Sequence, residues 1–117
     1  MAQVLPPLNK FRLVAVPLVS GSNTVYKEEI DVSTIVLTST VANITQDQQT
    51  FSMFVQKSGS AVPVTILRNM ILPPEETFTP IGGEGKLVLE KDDEIIFDVD
   101  QDNIIEITLS LLENAND

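Results

Sequence analysis

The end of the chain alternates apolar and polar residues with a period of two. Every second position from 105 to 111 is Ile or Leu, while positions 106, 108 and 110 are Glu, Thr and Ser. Because successive side chains of a strand point to opposite faces, this segment needs a core on one side and water on the other. It therefore predicts a strand of an antiparallel sheet, since parallel strands are usually buried on both faces.

Similar short segments recur about every ten residues, separated by Gly, Ser, Asn, Asp and Pro, and none has a helical period. We count roughly eight strands, a spacing typical of a two-sheet sandwich. Pro17 cannot donate a ladder hydrogen bond, which favours an edge position for the first strand. The segment 30–40 changes phase near Thr34, which indicates a β-bulge or a break. The turn at 58–60 predicts a hairpin between strands at 51–56 and 62–66.

The predicted fold is all-β: a single antiparallel two-sheet β-sandwich, Ig-like or jelly-roll-like, with an extended N-terminal arm. Pro6 and Pro7 place the arm at residues 1–10, because this pair favours an extended path. The sandwich domain is expected at 11–113 and a frayed tail at 114–117. The residues predicted to form the core are Ile35, Leu37, Met53, Val64, Ile66, Leu89, Phe97, Ile105, Ile107 and Leu109.

Composition excludes several classes of function. The 117 residues include no Cys and no His, so thiolate catalysis, Ser-His and Cys-His pairs and His-rich metal sites are excluded. We therefore expect no enzyme and no cofactor. The net charge of −10 disfavours nucleic acid and anionic membranes as partners. The N-terminus lacks the pattern of a secretion signal, and no apolar run could cross a bilayer.

Charge is distributed unevenly along the chain. Up to Pro74 there are five cations and four carboxylates, whereas two cations and thirteen carboxylates follow from Glu75 onward. This asymmetry predicts a surface with one strongly acidic end or face. It serves solubility, or it leaves the near-neutral end to dock onto a larger assembly while the acidic end stays in water.

Three carboxylates in one turn are the best candidate for a metal site. Asp98, Asp100 and Asp102 could supply the hard oxygen ligands that calcium prefers. The segment lacks the Gly at position 6 and the acidic residue at position 12 of the helix-loop-helix calcium pattern. A solvated hairpin turn is therefore the favoured interpretation. The Gly-rich segment 82–86 lacks the spacing of a phosphate loop.

Four segments resemble motifs of small structural proteins of tailed-bacteriophage virions. They are Thr-Val-Tyr at 24–26, the strand at 33–40, Ile-Leu-Pro-Pro-Glu-Glu-Thr at 71–77 and the segment 86–95, followed by the alternating last strand. The likeness spans about residues 24–112. The chain departs from this pattern at 25–30, where the family has a Pro-Ala-Gly turn, and at 91–93, where a Gly is usual.

The resemblance implies a capsid decoration (cement) protein that binds and stabilises a head shell, made in the host cytoplasm and located in the virion. A neck or tail component is the alternative within the virion, and an adhesive or carbohydrate-binding module, for which Tyr26 and the turn at 98–103 offer themselves, is the alternative of another class. Expected partners are the major capsid protein or other virion proteins and further copies of the chain, with a trimer suited to a quasi-threefold axis. The residues predicted to mediate attachment are Leu5, Pro6, Pro7, Lys10, Phe11 and Arg12.

Overall fold

A computed structural model describes residues 9–28, 33–82 and 85–114, which form two antiparallel sheets. One sheet has the strand order β1-β9-β3-β6, with β7 also paired to β3, and the other has the order β2-β8-β4-β5. The predicted all-β, two-sheet sandwich is confirmed. The strands are β1 (Asn9–Pro17), β2 (Gly21–Lys27), β3 (Ser33–Asn43), β4 (Gln49–Gln56), β5 (Val64–Leu72), β6 (Thr77–Ile81), β7 (Leu87–Leu89), β8 (Glu94–Val99) and β9 (Ile105–Asn114).

The strand pairs are nested like the turns of a folded hairpin. The β4–β5 hairpin is innermost, followed by β3 with β6 and β7, then β2 with β8, and finally β1 with β9. This nesting is the topology of a jelly roll. The connections β1–β2, β3–β4, β5–β6 and β8–β9 consequently meet at one end of the sandwich, and β2–β3, β4–β5 and β7–β8 meet at the other.

The core lies between the sheets and is mainly aliphatic. On β9 the residues at 105, 107, 109 and 111 are all buried, as the alternation predicted. The rings of Phe51 and Phe97, on β4 and β8, lie with their centroids 6.2 Å apart. Each such side chain contributes on the order of 2 kcal/mol through its burial. Six of the ten predicted core residues are buried: Met53, Leu89, Phe97, Ile105, Ile107 and Leu109.

The predictions for Ile35 and Leu37 were wrong because the phase of β3 changes at a different residue. Val36 pairs with Leu111 and Thr38 with Ser110, so Leu37 is the extra residue of a β-bulge. Before the bulge the even positions of β3 are buried, and after it the odd positions are. The predicted change of phase is thus confirmed, three residues later than expected. It leaves Ile35 and Leu37 half-buried on the outer face of the sheet.

The predictions for Val64 and Ile66 were wrong because β5 is an edge strand. The predicted hairpin with β4 is confirmed, and β5 has no second neighbour in its sheet among the described strands. Val64 is 57% exposed and Ile66 is 39% exposed. Asn69 has a φ of 50°, and its N–H donates to Ser52 Oγ at 2.9 Å, so the strand is also irregular at its centre. Alternation alone does not distinguish an edge strand from a central one.

The first and last strands extend slightly beyond the boundaries predicted for the sandwich domain. The arm predicted for residues 1–10 lies partly outside the described residues, but β1 already begins at Asn9 and Lys10 pairs with Glu113. Pro17 occupies the edge strand β1, as expected. Asn114 belongs to β9 rather than to the tail. Within the described residues no helix has the length and apolar character that crossing a membrane requires.

Candidate functional site

Two turns are joined at the end of the sandwich where β1 meets β2. The Leu18 N–H donates to the Ile105 carbonyl at 2.9 Å, and the Asn103 N–H donates to the Leu18 carbonyl at 3.2 Å. The Ser20 N–H donates to Asp102 Oδ1 at 2.7 Å. These bonds hold the β1–β2 turn against the acidic β8–β9 turn, so residues about 80 positions apart share one surface.

Asn43 fixes the other two turns at this end. Its buried amide Nδ2 donates to the carbonyls of Asp47, Leu72 and Pro73 at 2.8, 3.1 and 3.0 Å. Its Oδ1 accepts from the backbone N–H and the hydroxyl of Thr45. One side chain therefore provides hydrogen-bond partners for backbone groups of both the β3–β4 and the β5–β6 connection. Sequence analysis missed this role, because an Asn at the end of a strand is also a common turn residue.

The β5–β6 connection is a tight turn with a left-handed residue. The Glu76 N–H donates to the Pro73 carbonyl at 3.2 Å, and Glu75 has a φ of 57°. With Pro74 at the second position and a positive φ at the third, this is the arrangement of a type II turn, which normally uses Gly there. Glu75 is exposed at this strained position.

These four connections and the adjoining ends of β8 and β9 carry a concentration of carboxylates, which we call the acidic end. Among the described residues, no Lys or Arg lies in these connections, and none of these carboxylates forms an ion pair. Neighbouring strands are about 4.8 Å apart and the two sheets about 10 Å apart, and these spacings limit the distances between side chains at this end. Its charges therefore lie within roughly one or two Debye lengths of one another. The acidic end comprises Asp47, Glu75, Glu76, Asp98, Asp100, Asp102 and Glu106.

A cleft of about 450 Å³ opens beside the acidic end, on the outer side of the β2-β8-β4-β5 sheet. It is lined mainly by polar residues, among them Ser20, Thr50, Asn69, Asp98 and Asp100. No group of three or more His, Cys, Asp or Glu residues in the described part of the chain is arranged to hold a metal ion. Of the predicted metal candidates, Asp98 and Asp100 line this cleft, whereas Asp102 accepts the Ser20 N–H.

At the opposite end, Lys57 and Arg12 form ion pairs with carboxylates. Asp93 is buried, and its carboxylate accepts from Lys57 Nζ at 2.6 Å and from the N–H groups of Ser58 and Glu90, both at 2.9 Å. Burial by itself raises the pKa of Asp93, but the hydrogen bonds from Lys57, Glu90 and Ser58 outweigh it and lower the pKa. The pKa of Lys57 is raised by Asp93 and by Glu90, which lies 3.1 Å from Nζ. This network joins the β4–β5 and β7–β8 turns.

A second buried polar cluster surrounds Tyr26. Its hydroxyl donates to Glu113 Oε2 at 2.6 Å and lies 3.0 Å from Glu28 Oε2, and Thr34 donates to Glu28. Burial, followed by the hydrogen bond to Glu113, raises the pKa of Tyr26 far above its usual value. Arg12 covers the cluster, with its guanidinium 5.7 Å from the centre of the Tyr26 ring and 3.4 Å from Glu113.

The structure separates the residues predicted to mediate attachment. Leu5, Pro6 and Pro7 lie outside the described residues. Arg12 contacts Tyr26 and Glu113, and Lys10 is exposed beside Glu113 in the register of β1 and β9. Phe11 points outward from the sheet and is 73% exposed. No described contact brings Lys10, Phe11 and Arg12 together into one site.

Phe11 belongs instead to an apolar row that crosses four strands. It pairs with Leu112, which pairs with Ile35, which in turn pairs with Val88. Beside this row, Leu13 is 66% exposed, and Leu37 lines a shallow groove with Phe11, Arg12, Leu13 and Ser110. We call this surface the uncharged face; it comprises Phe11, Leu13, Ile35, Leu37, Thr38, Thr40, Val88, Thr108, Ser110 and Leu112.

Charged side chains are confined to the borders of the uncharged face. Glu106 is the only charged residue at the outward-facing positions of β1, β3, β7 and β9 among the described side chains, and it belongs to the acidic end. Lys86 lies at the opposite border, where its Nζ donates to the Leu37 carbonyl at 3.1 Å. Large exposed surfaces of this apolar character usually mark interaction sites.

Comparison with known proteins gives one structural relationship. No protein-family model and no curated protein matches the sequence. The fold is similar to the solved core of the Drosophila protein NLP, with a TM-score of 0.50 and 10% sequence identity over 87% of this chain and 97% of that chain. The crystal structure of that core is reported to provide insight into pentamer formation and histone binding. At this identity the similarity shows the fold.

The predicted virion function is contradicted by this comparison, because the similar structure is a histone-binding core rather than a virion protein. The predicted capsid partner has no support, whereas a homo-oligomer agrees with the pentamer-forming neighbour. Two motifs behind the phage resemblance coincide with tight turns of the sandwich, at 73–76 and 90–93, which serve the fold in general. The resemblance itself stays a prediction. Tyr26, cited for a carbohydrate-binding alternative, is buried.

Proposed function

We propose that this chain is a non-enzymatic, self-associating binding module, and that its acidic end binds the basic surface of a protein partner such as a histone. The observation that carries the proposal is the collection of seven carboxylates at one end of the sandwich, five in its connections and two on the adjoining ends of β8 and β9, where the connections contain no described cation. Such a surface attracts basic partners and accelerates their association. The similarity to a histone-binding core supports the choice of partner.

The contrast between the two ends also supports this location. At the opposite end, the Lys57 ammonium lies between Asp93 and Glu90, and Arg12 pairs with Glu113. Carboxylates that already hold a cation have less to gain from a second one. The carboxylates of the acidic end form no ion pair among the described residues, so a partner's Lys or Arg would supply their first counter-charge.

The cleft beside Asp98 and Asp100 has room for a side chain of the partner. Its volume of about 450 Å³ falls within the usual range for ligand sites, and its lining includes three hydroxyls, an amide and the two carboxylates beside Phe51 and Val99. A Lys ammonium or an Arg guanidinium can donate to such oxygens, whereas an acidic side chain would be repelled. The lack of His and Cys supports a binding role over a catalytic one.

The test is a binding titration against purified core histones, with charge removed at one end at a time. The double variant Glu76→Gln with Asp100→Asn changes the acidic end, and Asp92→Asn with Glu94→Gln makes the same charge change at the opposite end. Exposed charge pairs contribute about 0.2–1 kcal/mol each, so we expect the acidic-end variant to bind roughly 2- to 30-fold more weakly. We also expect its affinity to depend less on salt concentration.

The opposite-end variant is the matched control and should retain nearly wild-type affinity. Equal losses in the two variants would show that only the net charge of −10 matters, and would contradict a located site. Absence of histone binding by the wild-type chain at low salt would contradict the proposed function as a whole.

A further inference from the structure

We propose that the uncharged face is a subunit interface, and that it packs against the exposed apolar edge around β5 of a second copy of this chain. This edge, which we call the β5 patch, consists of Val62, Val64, Ile66 and Ile71. Val64 pairs with the buried Val55 and Ile71 pairs with Thr50 of the outer cleft, so the patch extends over both faces of the edge strand. The inference rests on the self-association included in the proposed function, and it adds which two surfaces meet.

Charge indicates a second copy as the occupant. A chain with a net charge of −10 repels its own copies, so two copies can approach closely only through surfaces that carry little charge. The uncharged face meets this condition, because the charged side chains near it among the described residues, Glu106, Lys86 and Arg12, lie at its borders, and Arg12 is paired with Glu113. A basic partner would instead be drawn to the acidic end, whose carboxylates form no ion pair among the described residues and whose connections contain no described cation. Depletion of charge at the centre is also what distinguishes protein interfaces from other surface.

The size of the face suits a stable contact. Four strands at about 4.8 Å give a width of about 19 Å, and ten residues at about 3.4 Å give a length of about 34 Å. The projected area is thus roughly 650 Å², close to the ~800 Å² that each partner contributes to a standard interface. Phe11, Leu13 and Val88 are 73%, 66% and 58% exposed in the single chain, so their burial would drive the association.

The β5 patch supplies a second exposed apolar surface, at the edge of the other sheet. Val64 pairs with the buried Val55, yet it remains 57% exposed because β5 is the last strand of its sheet. Val62 and Ile71 are 70% and 58% exposed. A symmetric face-to-face dimer would leave this patch in water, whereas a head-to-tail contact covers both apolar surfaces. Head-to-tail contacts close into rings when the rotation between copies permits.

Three double variants of equal chemistry test the proposal in the full chain. Phe11→Gln with Leu13→Gln changes the uncharged face, and Val64→Gln with Ile71→Gln changes the β5 patch. Val19→Gln with Ile44→Gln changes two exposed apolar residues that belong to neither surface, and it serves as the control. Far-UV circular dichroism establishes that each variant is folded, and light scattering after size exclusion gives its mass.

We expect the wild-type chain and the control to form oligomers of equal mass, and each of the other two variants to be monomeric at micromolar concentration. Loss of two buried apolar side chains should weaken association on the order of 100-fold or more. An equal mixture of the two monomeric variants should form dimers and nothing larger, because it restores one intact contact. A β5 variant that still forms oligomers, or a mixture that stays monomeric, would overturn the head-to-tail arrangement.

Two further outcomes separate this inference from the proposed function. A monomeric wild-type chain would remove the proposed self-association and the interface with it, while leaving histone binding by the acidic end to be judged on its own titration. If the Phe11→Gln with Leu13→Gln variant still forms the wild-type oligomer, only the assignment of the uncharged face to the interface is wrong.

Discussion

Replacing the buried carboxylate of Asp93 tests how the β4–β5 and β7–β8 turns at the opposite end are held together. In the substitution Asp93→Asn, one of the two carboxylate oxygens becomes an NH2 group. Oδ2 accepts from Lys57 and Glu90, and Oδ1 accepts from Ser58. If the amide oxygen keeps the two bonds at Oδ2, the NH2 group faces the Ser58 N–H, and two donors oppose each other in a buried site.

The expected loss follows from these contacts. An unsatisfied buried donor costs about 1–3 kcal/mol, and the bond from Lys57 also loses the attraction between opposite charges. We expect Asp93→Asn to lower the free energy of unfolding by about 2–3 kcal/mol, which for a chain of this size lowers the Tm by roughly 8–12 °C. Urea unfolding, followed by far-UV circular dichroism and by the fluorescence of the single Tyr, measures this change.

Asp92→Asn is the matched control, because it removes the same charge one residue away. Asp92 has a φ of 68°, a conformation that Asn tolerates, so we expect a change within about 0.5 kcal/mol. The pKa of Asp93 is lower in the folded protein than in the unfolded chain, so its stabilisation is present above the unfolded value of about 3.9 and is lost as the pH falls below it. The difference between wild type and Asp93→Asn should therefore shrink below about pH 4. Equal stability of the Asp93→Asn and Asp92→Asn variants at neutral pH would refute this reasoning.

Three further predictions concern single side chains. Ser39 Oγ is buried without a hydrogen-bond partner among the described residues, so Ser39→Ala should raise the free energy of unfolding by up to about 1 kcal/mol. Ser52→Ala removes the acceptor of the Asn69 N–H and should lower the free energy of unfolding by about 1–2 kcal/mol. Urea unfolding that gives both changes the same sign would contradict this. Glu75→Gly should stabilise the protein by about 1 kcal/mol because it relieves the left-handed backbone, while Glu76→Gly should cost about 0.5–1 kcal/mol, and a thermal melt in which both destabilise would refute the turn assignment. Because the pKa of Tyr26 is raised on folding, the stability that Tyr26 confers is complete below the unfolded pKa of about 10 and declines as the pH rises above it. Absorbance at the tyrosinate wavelength should therefore appear only together with unfolding. Ionisation of Tyr26 in the folded state would contradict the buried hydrogen bond to Glu113.

The sequence predicts the fold well where each strand has one buried and one exposed face. On β9 the alternation gives the correct buried residues, because this strand is central in its sheet and covered by the other sheet. On β3 the same logic fails at Ile35 and Leu37, since a single bulge residue inverts the phase and its position depends on pairing with β9. On β5 it fails at Val64 and Ile66, since burial there depends on a neighbouring strand that is absent from the sheet.

The candidate site is harder to predict because it is assembled from distant parts of the chain. The acidic C-terminal half predicts a polarised surface, but not that Asp47 joins the carboxylates near Asp100, or that Asp92 and Asp93 lie at the other end. Those placements follow from the nested pairing of strands, which is a long-range property. Likewise, Phe11, Leu112, Ile35 and Val88 form one row only because three strand registers align them.

The two proposed surfaces are compatible in one assembly, and their arrangement has a consequence for binding. The uncharged face extends along the length of β1 and β9, whereas the acidic end lies at the end of these strands where β1 continues into the β1–β2 turn and β9 follows the β8–β9 turn. Copies that pack side by side in a ring through the face and the β5 patch therefore all keep their acidic ends on the same side. Each ring would present several sets of seven carboxylates to one partner, so that contacts weak in a single copy add up through effective concentration. The same proximity increases repulsion between neighbouring acidic ends, which a basic partner would relieve. Binding of that partner and assembly of the ring should consequently favour each other, because the partner relieves the repulsion between neighbouring acidic ends and the ring presents several acidic ends to the partner.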